Sequence, residues 1–426
     1  MAIHWIHLKN LILDTQKTDT GYWSLDTGKY FSLKKYPGSS RRSRCSVRGI
    51  RYPVSVCFLF SIFSILLVCL ITTAHGLEYD LDGQLSGWLI ESDINDNWEN
   101  SAGIRYIPDL DISHQLDDDT AIDSEISLNM FSSSGSGSYL DDTDIDLYRA
   151  DIRYTTSRTE TRIGLQKINF GPGLILRPLK WFDRLDPTDP LQLTDGVYAF
   201  RFRYVAQNNS NFWAWCLYGN DDPKVYEIFP STSNDLEAGG RIQSPILSGD
   251  MGFTFHTRIV DSTGFNIPEF RENRYALDGR WDVGIGLWFE SMFQEQKTDY
   301  LPYRWTKRIS IGADYTFDIG SGLYFLAEHM ATAVSEKMIK WQNDYHISAF
   351  QMSYSLGIMD SISAIGYYSW EDDKFSQHIS WMRTYDNFIL NVSLFNYPET
   401  SFNINGQTQR TFMGGRGIQI MLIYNH

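Results

Sequence analysis

Beyond residue 76 this sequence has a single cysteine, no long apolar run, no regular helical stretch and few cations. Cys45, Cys57 and Cys69 precede that point and only Cys216 follows it, so this part forms no internal disulfide and takes its stability from sheet closure and packing. The last long apolar run ends at Ile71, which leaves no helix to cross a membrane after it. Residues 77–426 hold 27 of the 37 Lys and Arg but 49 of the 52 Asp and Glu, a balance of −22 that argues against nucleic acid as a partner. Catalytic signatures are missing too: there is no Gly-x-Ser-x-Gly, no His-Glu-x-x-His and no Walker loop. His114, His256, His329, His346, His378 and His426 are scattered without ligand spacing. The expectation is a protein that is not an enzyme, with no cofactor and no metal centre.

Ahead of that point, Val54 to Ile71 is the one long apolar stretch. Arg41, Arg42, Arg44, Arg48 and Arg51 precede it, and Ala74-His75-Gly76 follows with small residues at the first and third places, the layout of a signal peptide cut after Gly76. The competing reading is a single membrane anchor, since these 18 residues just span a bilayer core of roughly 30 Å. Cys69 follows Val68, where lipid attachment wants a small residue, so a lipoprotein is disfavoured. Residues 1–40 are polar and without steady period, an N-terminal extension that a start placed too far upstream would explain. A genuine cytoplasmic extension would favour the anchor. The expected organisation is 1–40 extension, 41–76 signal peptide and 77–426 one exported domain, because no linker or change of pattern divides it.

What that domain does have is alternation. Aromatics make up 15% of the chain and glycine is frequent, as aromatic girdles and tight turns require. From Val197 to Gln207, Tyr198, Phe200, Phe202 and Tyr204 point one way and Ala199, Arg201 and Arg203 the other, a face for lipid opposite a face for water. Arg308 to Asp318 repeats the pattern, with Ile309, Ile311, Tyr315 and Phe317 opposed to Arg308, Ser310, Gly312 and Asp314. The same period runs through 146–154, 158–170, 252–260, 350–356 and 388–396, and more weakly through ten further segments. The chain ends in a last strand with Ile418, Ile420, Leu422 and Tyr424 on one face, although His426 departs from the aromatic ending usual in such proteins. The sum predicts an all-β fold, a transmembrane antiparallel β-barrel of about 16–18 strands with a long inward-folded loop. A soluble sandwich or propeller is the alternative, but no repeat of about 40–50 residues supports a propeller.

Taking the polar faces as lumen, adjacent strands contribute Arg149, Asp151 and Arg153, then Arg158, Glu160, Arg162 and Gln166, then Arg201 and Arg203, with Arg258 and Arg308 extending the set from other strands. This is a basic inner wall in an acidic protein. His256 also falls on the lumen side, the wrong side for a lipid hydrolase. Between two of these strands, residues 171–195 are rich in proline and too long for a hairpin turn. Leu174, Leu176, Trp181 and Phe182 require this loop to pack, and in a barrel the available place is inside. Arg177, Lys180 and Arg184 would then face the wall arginines, with Asp183, Asp186 and Asp189 as counter-charge. Two readings stay open: an anion-selecting constriction, or acid–base pairs that only brace the loop. Trp181 and Phe182 are either sugar-stacking platforms or the loop's own foothold. The acidic stretches at 117–119, 141–146, 221–222 and 371–373 read as solvated loop tips, able to share divalent cations with lipopolysaccharide.

The segment from Arg162 to Gly173 reads Arg-Ile-Gly-Leu-Gln-Lys-Ile-Asn-Phe-Gly-Pro-Gly, followed by Arg-Pro-Leu-Lys-Trp-Phe-Asp and Asp-Pro pairs at 186 and 189. It resembles outer-membrane porin-like barrels of Gram-negative bacteria, including the alginate-export type, on Arg162, Gly164, Gln166, Asn169, Gly171, Pro178 and Asp186. The resemblance spans about a tenth of the exported chain. It implies an outer-membrane channel, embedded among lipid and lipopolysaccharide by the barrel-assembly machinery, with an arginine-lined passage for small anions or acidic saccharides. The alternative is a plugged barrel serving surface-polysaccharide assembly. The sequence displays no oligomer interface.

Overall fold

The computed structural model describes residues 77–426 apart from 95, 137–140, 184–185, 195, 225, 398–402, 405–406 and 409–414. The extension, the signal peptide and Arg184 therefore lie outside the described residues. The strands are β1 (Leu77–Ile94), β2 (Asn97–Asp117), β3 (Thr120–Gly135), β4 (Asp142–Thr155), β5 (Thr159–Gln166) and β6 (Val197–Val205). They continue with β7 (Asn211–Leu217), β8 (Glu237–Ile246), β9 (Gly249–Val260), β10 (Phe270–Asp282), β11 (Gly286–Lys297) and β12 (Trp305–Phe317). Next come β13 (Leu323–Ser335), β14 (Asp344–Ser355), β15 (Asp360–Ser369), β16 (Lys374–Thr384), β17 (Phe388–Asn396), a small hairpin of β18 (Asn403–Ile404) and β19 (Gln407–Thr408), and β20 (Arg416–Asn425).

All but the small hairpin form one 18-stranded sheet in which each strand pairs antiparallel with its sequence neighbour and β20 pairs with both β17 and β1. The sheet is thus a closed all-β barrel with no free edge, as expected from the alternation. The seam is tightened by the last residue: the His426 N–H donates to Gly83 O at 3.0 Å, and its ring stacks on Tyr106 at 5.9 Å between centroids.

Alternation sets two faces. Leu89, Ile104, Ile163, Phe200, Ile311 and Leu422 are each at least two-fifths exposed on the outside, an apolar belt that only lipid would cover. Arg241, Arg258, Arg274, Glu290, Arg308 and Glu328 are buried on the inside. Leu77 and His426 lie at one end of the barrel, where the turns have two to five residues. One of them, Leu247-Ser248, is a two-residue turn with φ of 52° and 62°, the type I′ geometry that suits the twist of a hairpin even without the usual Asn-Gly. The opposite end carries the long connections 167–196, 218–236 and 397–415. In outer-membrane barrels the short turns face the periplasm and the long loops the outside.

Several strand boundaries shift by a few residues from the expectation, and the two at 158–170 change what the residues do. Arg158 is not on the wall: it is exposed in the turn between β4 and β5, where Thr156 N donates to Thr159 O at 2.8 Å. Strand β5 stops at Gln166, four residues before Phe170, because Ile168 and Phe170 leave the sheet for a buried cluster with Trp181, Phe182 and Trp215.

Candidate lumen wall and the loops that enter it

Strands β3 to β6 bring the predicted wall residues onto one inner face. The register sets Glu125 beside Asp151, Arg153 beside Arg162, and Arg162 beside Arg201. Four of the guanidiniums have a carboxylate or side-chain amide partner. Arg153 Nε donates to Asp123 at 3.1 Å, Arg162 Nε to Asp151 at 2.5 Å and Arg162 Nη2 to Glu125 at 2.7 Å. Arg201 is paired with Glu160, and Arg203 donates to Asn211 Oδ1 at 2.8 Å. Arg201 and Arg203 also lie 5.5 and 5.3 Å from the Trp213 ring centroid. Arg149 instead donates to the carbonyl and hydroxyl of Thr194, both at 2.8 Å, and so holds the end of the long loop. Gln166 donates to Ala199 O at 2.9 Å, bracing β5 against β6.

Next to this wall stands an acidic one, absent from the sequence-based expectation of a basic lumen. Asp80 and Asp82 on β1 face Asp111 and Asp109 on β2 in register, on the same inner face as Asp123 and Glu125. Its signal in the sequence is the alternation Leu77-Glu78-Tyr79-Asp80-Leu81-Asp82. The inner surface therefore passes from carboxylates on β1–β3 to arginines on β4–β6.

The long loop does fold inward, and backbone hydrogen bonds fix it. The N–H groups of Leu174 and Ile175 donate to Glu328 at 2.8 and 2.9 Å, joined by Leu176 N and by Trp288 Nε1 at 3.0 Å. Gly173 N and Leu179 N donate to Glu290 at 2.7 and 2.9 Å. Gly171 has φ +91° and packs so close to Glu290 that a Cβ there would collide with the carboxylate. Two carboxylates on β11 and β13 thus serve five loop donors, and neither stands out in the sequence. The loop tip, Ile175 and Leu176, packs on an apolar inner wall that includes Leu326, Met330, Ile347 and Ile365.

The loop's own charges turn inward on the loop. Arg177 lies 3.4 Å from Asp183 and also reaches Asn169, while Asp186 accepts Thr188 N at 2.9 Å and Asp189 accepts Leu191 N at 3.0 Å. Burial pushes the Asp189 carboxyl up, against the lowering effect of the Leu191 and Leu193 N–H groups. Lys180 is buried. Trp181 and Phe182 are 2% and 3% exposed in an edge-to-face cluster with Phe170, and Phe182 meets Trp215 and His256 as well. They are the loop's foothold and offer no free face to a sugar.

A second loop, 218–236, also enters the barrel. Lys224 Nζ meets Glu237 at 2.9 Å, and Glu227 meets Arg274 at 2.7 Å and Arg258 at 3.2 Å. Burial opposes ionisation of Glu227, yet Arg258, Lys224 and Arg274 hold its carboxyl below the usual range. A carboxyl held low stabilises the docked loop at neutral pH and loses that contribution as the pH falls through its folded value. Faster limited proteolysis of this loop at acid pH checks the expectation, and unchanged cleavage would refute it. Around it the inner face of β8–β12 is a packed ion network: Arg241 with Asp278 at 2.6 Å, and Glu272 with Arg258 at 2.8 Å and Arg274 at 2.7 Å. Arg308 stands apart, 4.5 Å from the Tyr226 ring centroid, with Nε and Nη1 lacking an acceptor among the described residues.

A closed barrel with a lipid-facing apolar exterior, a charged interior and an inward-folded loop defines the class: a porin-like β-barrel of the outer-membrane type. The structure is similar to Pseudomonas aeruginosa OccK5 (OpdH), with a TM-score of 0.52 and 10% identity over 82% of this chain and 98% of that chain. It also aligns with an anion-selective porin from Comamonas acidovorans (TM-score 0.47, 10% identity, 82% and 100% of the two chains). A third solved structure is the outer membrane channel DcaP of Acinetobacter baumannii (TM-score 0.46, 11% identity, 82% and 98%). At these identities the likeness concerns the fold alone. No family model and no curated protein matches the sequence.

Proposed function

We propose that the chain is an outer-membrane channel, exported by a cleaved signal peptide, that passes small anions or acidic saccharides by passive diffusion along its arginine-bearing wall. The observation that carries this reading is the Arg153, Arg162, Arg201 and Arg203 group, which shares one inner face beside the inward loop. The Arg153 side chain is 43% exposed there, whereas Arg241, Arg258 and Arg274 on β8–β10 are shut away. Charged groups lining a narrow passage select ions by replacing part of their hydration. The likeness to alginate-export barrels fits an acidic polysaccharide as the solute. A plugged barrel serving surface-polysaccharide assembly is the second reading, and a specific observation favours it: two loops and a packed ion network occupy the β7–β13 side.

Reconstitution in a planar bilayer across a KCl gradient separates the two. Channels with an anion-selective reversal potential support the first reading. Folded barrels without channels support the second.

Replacing Arg201 and Arg203 by Ser is expected to move the reversal potential toward cation selectivity while the barrel still folds, because it leaves Glu160 without its cation. An unchanged potential with normal folding would assign both arginines to bracing.

A further inference from the structure

Many arginines of this acidic domain face the lumen, but a few cations face the membrane, and three of them lie together. On β10, Arg271 shares the outer face with Tyr275 and Leu277, and on β11 Lys297 lies directly opposite Arg271 in register. Glu295 organises the group: it accepts Arg304 Nη2 at 2.7 Å and Asn273 Nδ2 at 3.3 Å, and Lys297 Nζ is 3.9 Å away. Two cations thus flank one carboxylate, and beside them Arg271 Nη1 donates to Thr257 Oγ1 at 3.3 Å. Arg304 and Lys297 keep 52% and 45% of their side chains exposed, so their remaining donors point into the surroundings.

The height of this cluster says what surrounds it. It sits at the long-loop end of the barrel, where β10 begins, β11 ends and β12 begins. Four residues down β10 and β11, about 13 Å along the strand, Phe255, Tyr275 and Phe293 stand side by side in register on the outer face. A row of aromatics marks the boundary between hydrocarbon and headgroups. The cations therefore stand at headgroup level, on the outer leaflet.

The neighbouring loop supplies an apolar counterpart. Lys307, whose register partner Phe293 places it on the outer face, donates to Lys340 O and lies 5.5 Å from the Trp341 ring centroid, so loop 336–343 is drawn down on the outside of the barrel. Ile339 in this loop is 96% exposed. A fully exposed isoleucine in a loop that Lys307 holds against the outer face suits contact with an acyl chain.

We propose that Arg271, Lys297 and Arg304 form a binding site for the phosphorylated headgroup of an outer-leaflet glycolipid, with Ile339 against its acyl chains. Phosphate oxygens match the fork of Arg and the point charge of Lys, and Glu295 holds Arg304 and Lys297 on the outer face where Arg271 lies opposite Lys297. The site rests on the outer-membrane placement and not on channel activity, so a barrel that conducts nothing still tests it.

The test is native mass spectrometry of the detergent-purified barrel with bis-phosphorylated lipid A, its dephosphorylated form, and inorganic phosphate as competitor. Folding of each variant is checked by heat-modifiable migration on a gel. The unaltered barrel is expected to retain bis-phosphorylated lipid A about tenfold or more over the Arg271→Gln/Lys297→Gln/Arg304→Gln variant, and to retain the dephosphorylated lipid as poorly as that variant does. Arg383→Gln, an outward cation at the opposite end beside Asp360, is expected to change nothing. Equal retention by the unaltered and triple-variant barrels, or equal binding of the dephosphorylated lipid, overturns the proposal. Displacement by inorganic phosphate alone would also overturn it, in favour of a free-anion site.

Discussion

Glu328→Ala combined with Glu290→Ala is expected to raise single-channel conductance and the fraction of time the pore is open, because these two carboxylates tie the inward loop to the far wall. They accept the N–H groups of Gly173, Leu174, Ile175, Leu176 and Leu179. A hydrogen bond to a charged acceptor contributes roughly 1.5–3 kcal/mol, and burial of Ile175 or Leu176 contributes roughly the same each, so the five loop donors together outweigh what those two side chains retain by apolar contact. Excising residues 174–190 is the independent check and should act in the same direction. If the unaltered protein forms no channels and the double variant does, the loop is a plug. If neither change alters conductance, the loop does not limit the pore, and the constriction reading fails.

Arg258→Met should be the most destabilising single change in the interior. Arg258 is 1% exposed and touches Glu227 at 3.2 Å and Glu272 at 2.8 Å, so its removal leaves two buried carboxylates short of a cation. Breaking a buried pair from one side costs about 3–5 kcal/mol. Adding Glu272→Leu should recover part of that loss, since an apolar pair of similar size avoids the stranded charge. Arg153→Met, at a half-open pair, should cost no more than about 1 kcal/mol. Thermal unfolding in detergent, followed by heat-modifiable migration, ranks the three. Equal melting of Arg258→Met and Arg153→Met would mean that the β8–β12 network is wet and not packed.

Legibility varies with the range of the interaction. The clearly alternating segments all overlap strands, though 158–170 is strand only over Thr159–Gln166, and 388–396 coincides with β17 residue for residue. The lipid and lumen sides of β6 and β12 also match, because a period of two is a property of consecutive residues. Arg158 departs from its expected place for a local reason as well: alternation continues through a tight turn as easily as through a strand, and only the Thr156–Thr159 hydrogen bond marks the break. The loop's inward path is legible from its apolar side chains, and its partners are not. Glu290 and Glu328 look like any other polar residue in an alternating strand, and they lie more than a hundred residues from the N–H groups they accept.

By itself, then, the sequence determined that residues 77–426 alternate, that one face suits lipid and the other water, and that about 16–18 such segments must close on themselves. Those outcomes follow from side-chain order along a pleated strand. Only the tertiary structure decided which charges stay half open on β4–β6, which are consumed in the β8–β12 network, that a second loop enters beside the first, and that a few cations turn toward the membrane. Closure is what decides them: it brings strands distant in the chain across one narrow interior, where a buried charge must find whatever partner the opposite wall presents.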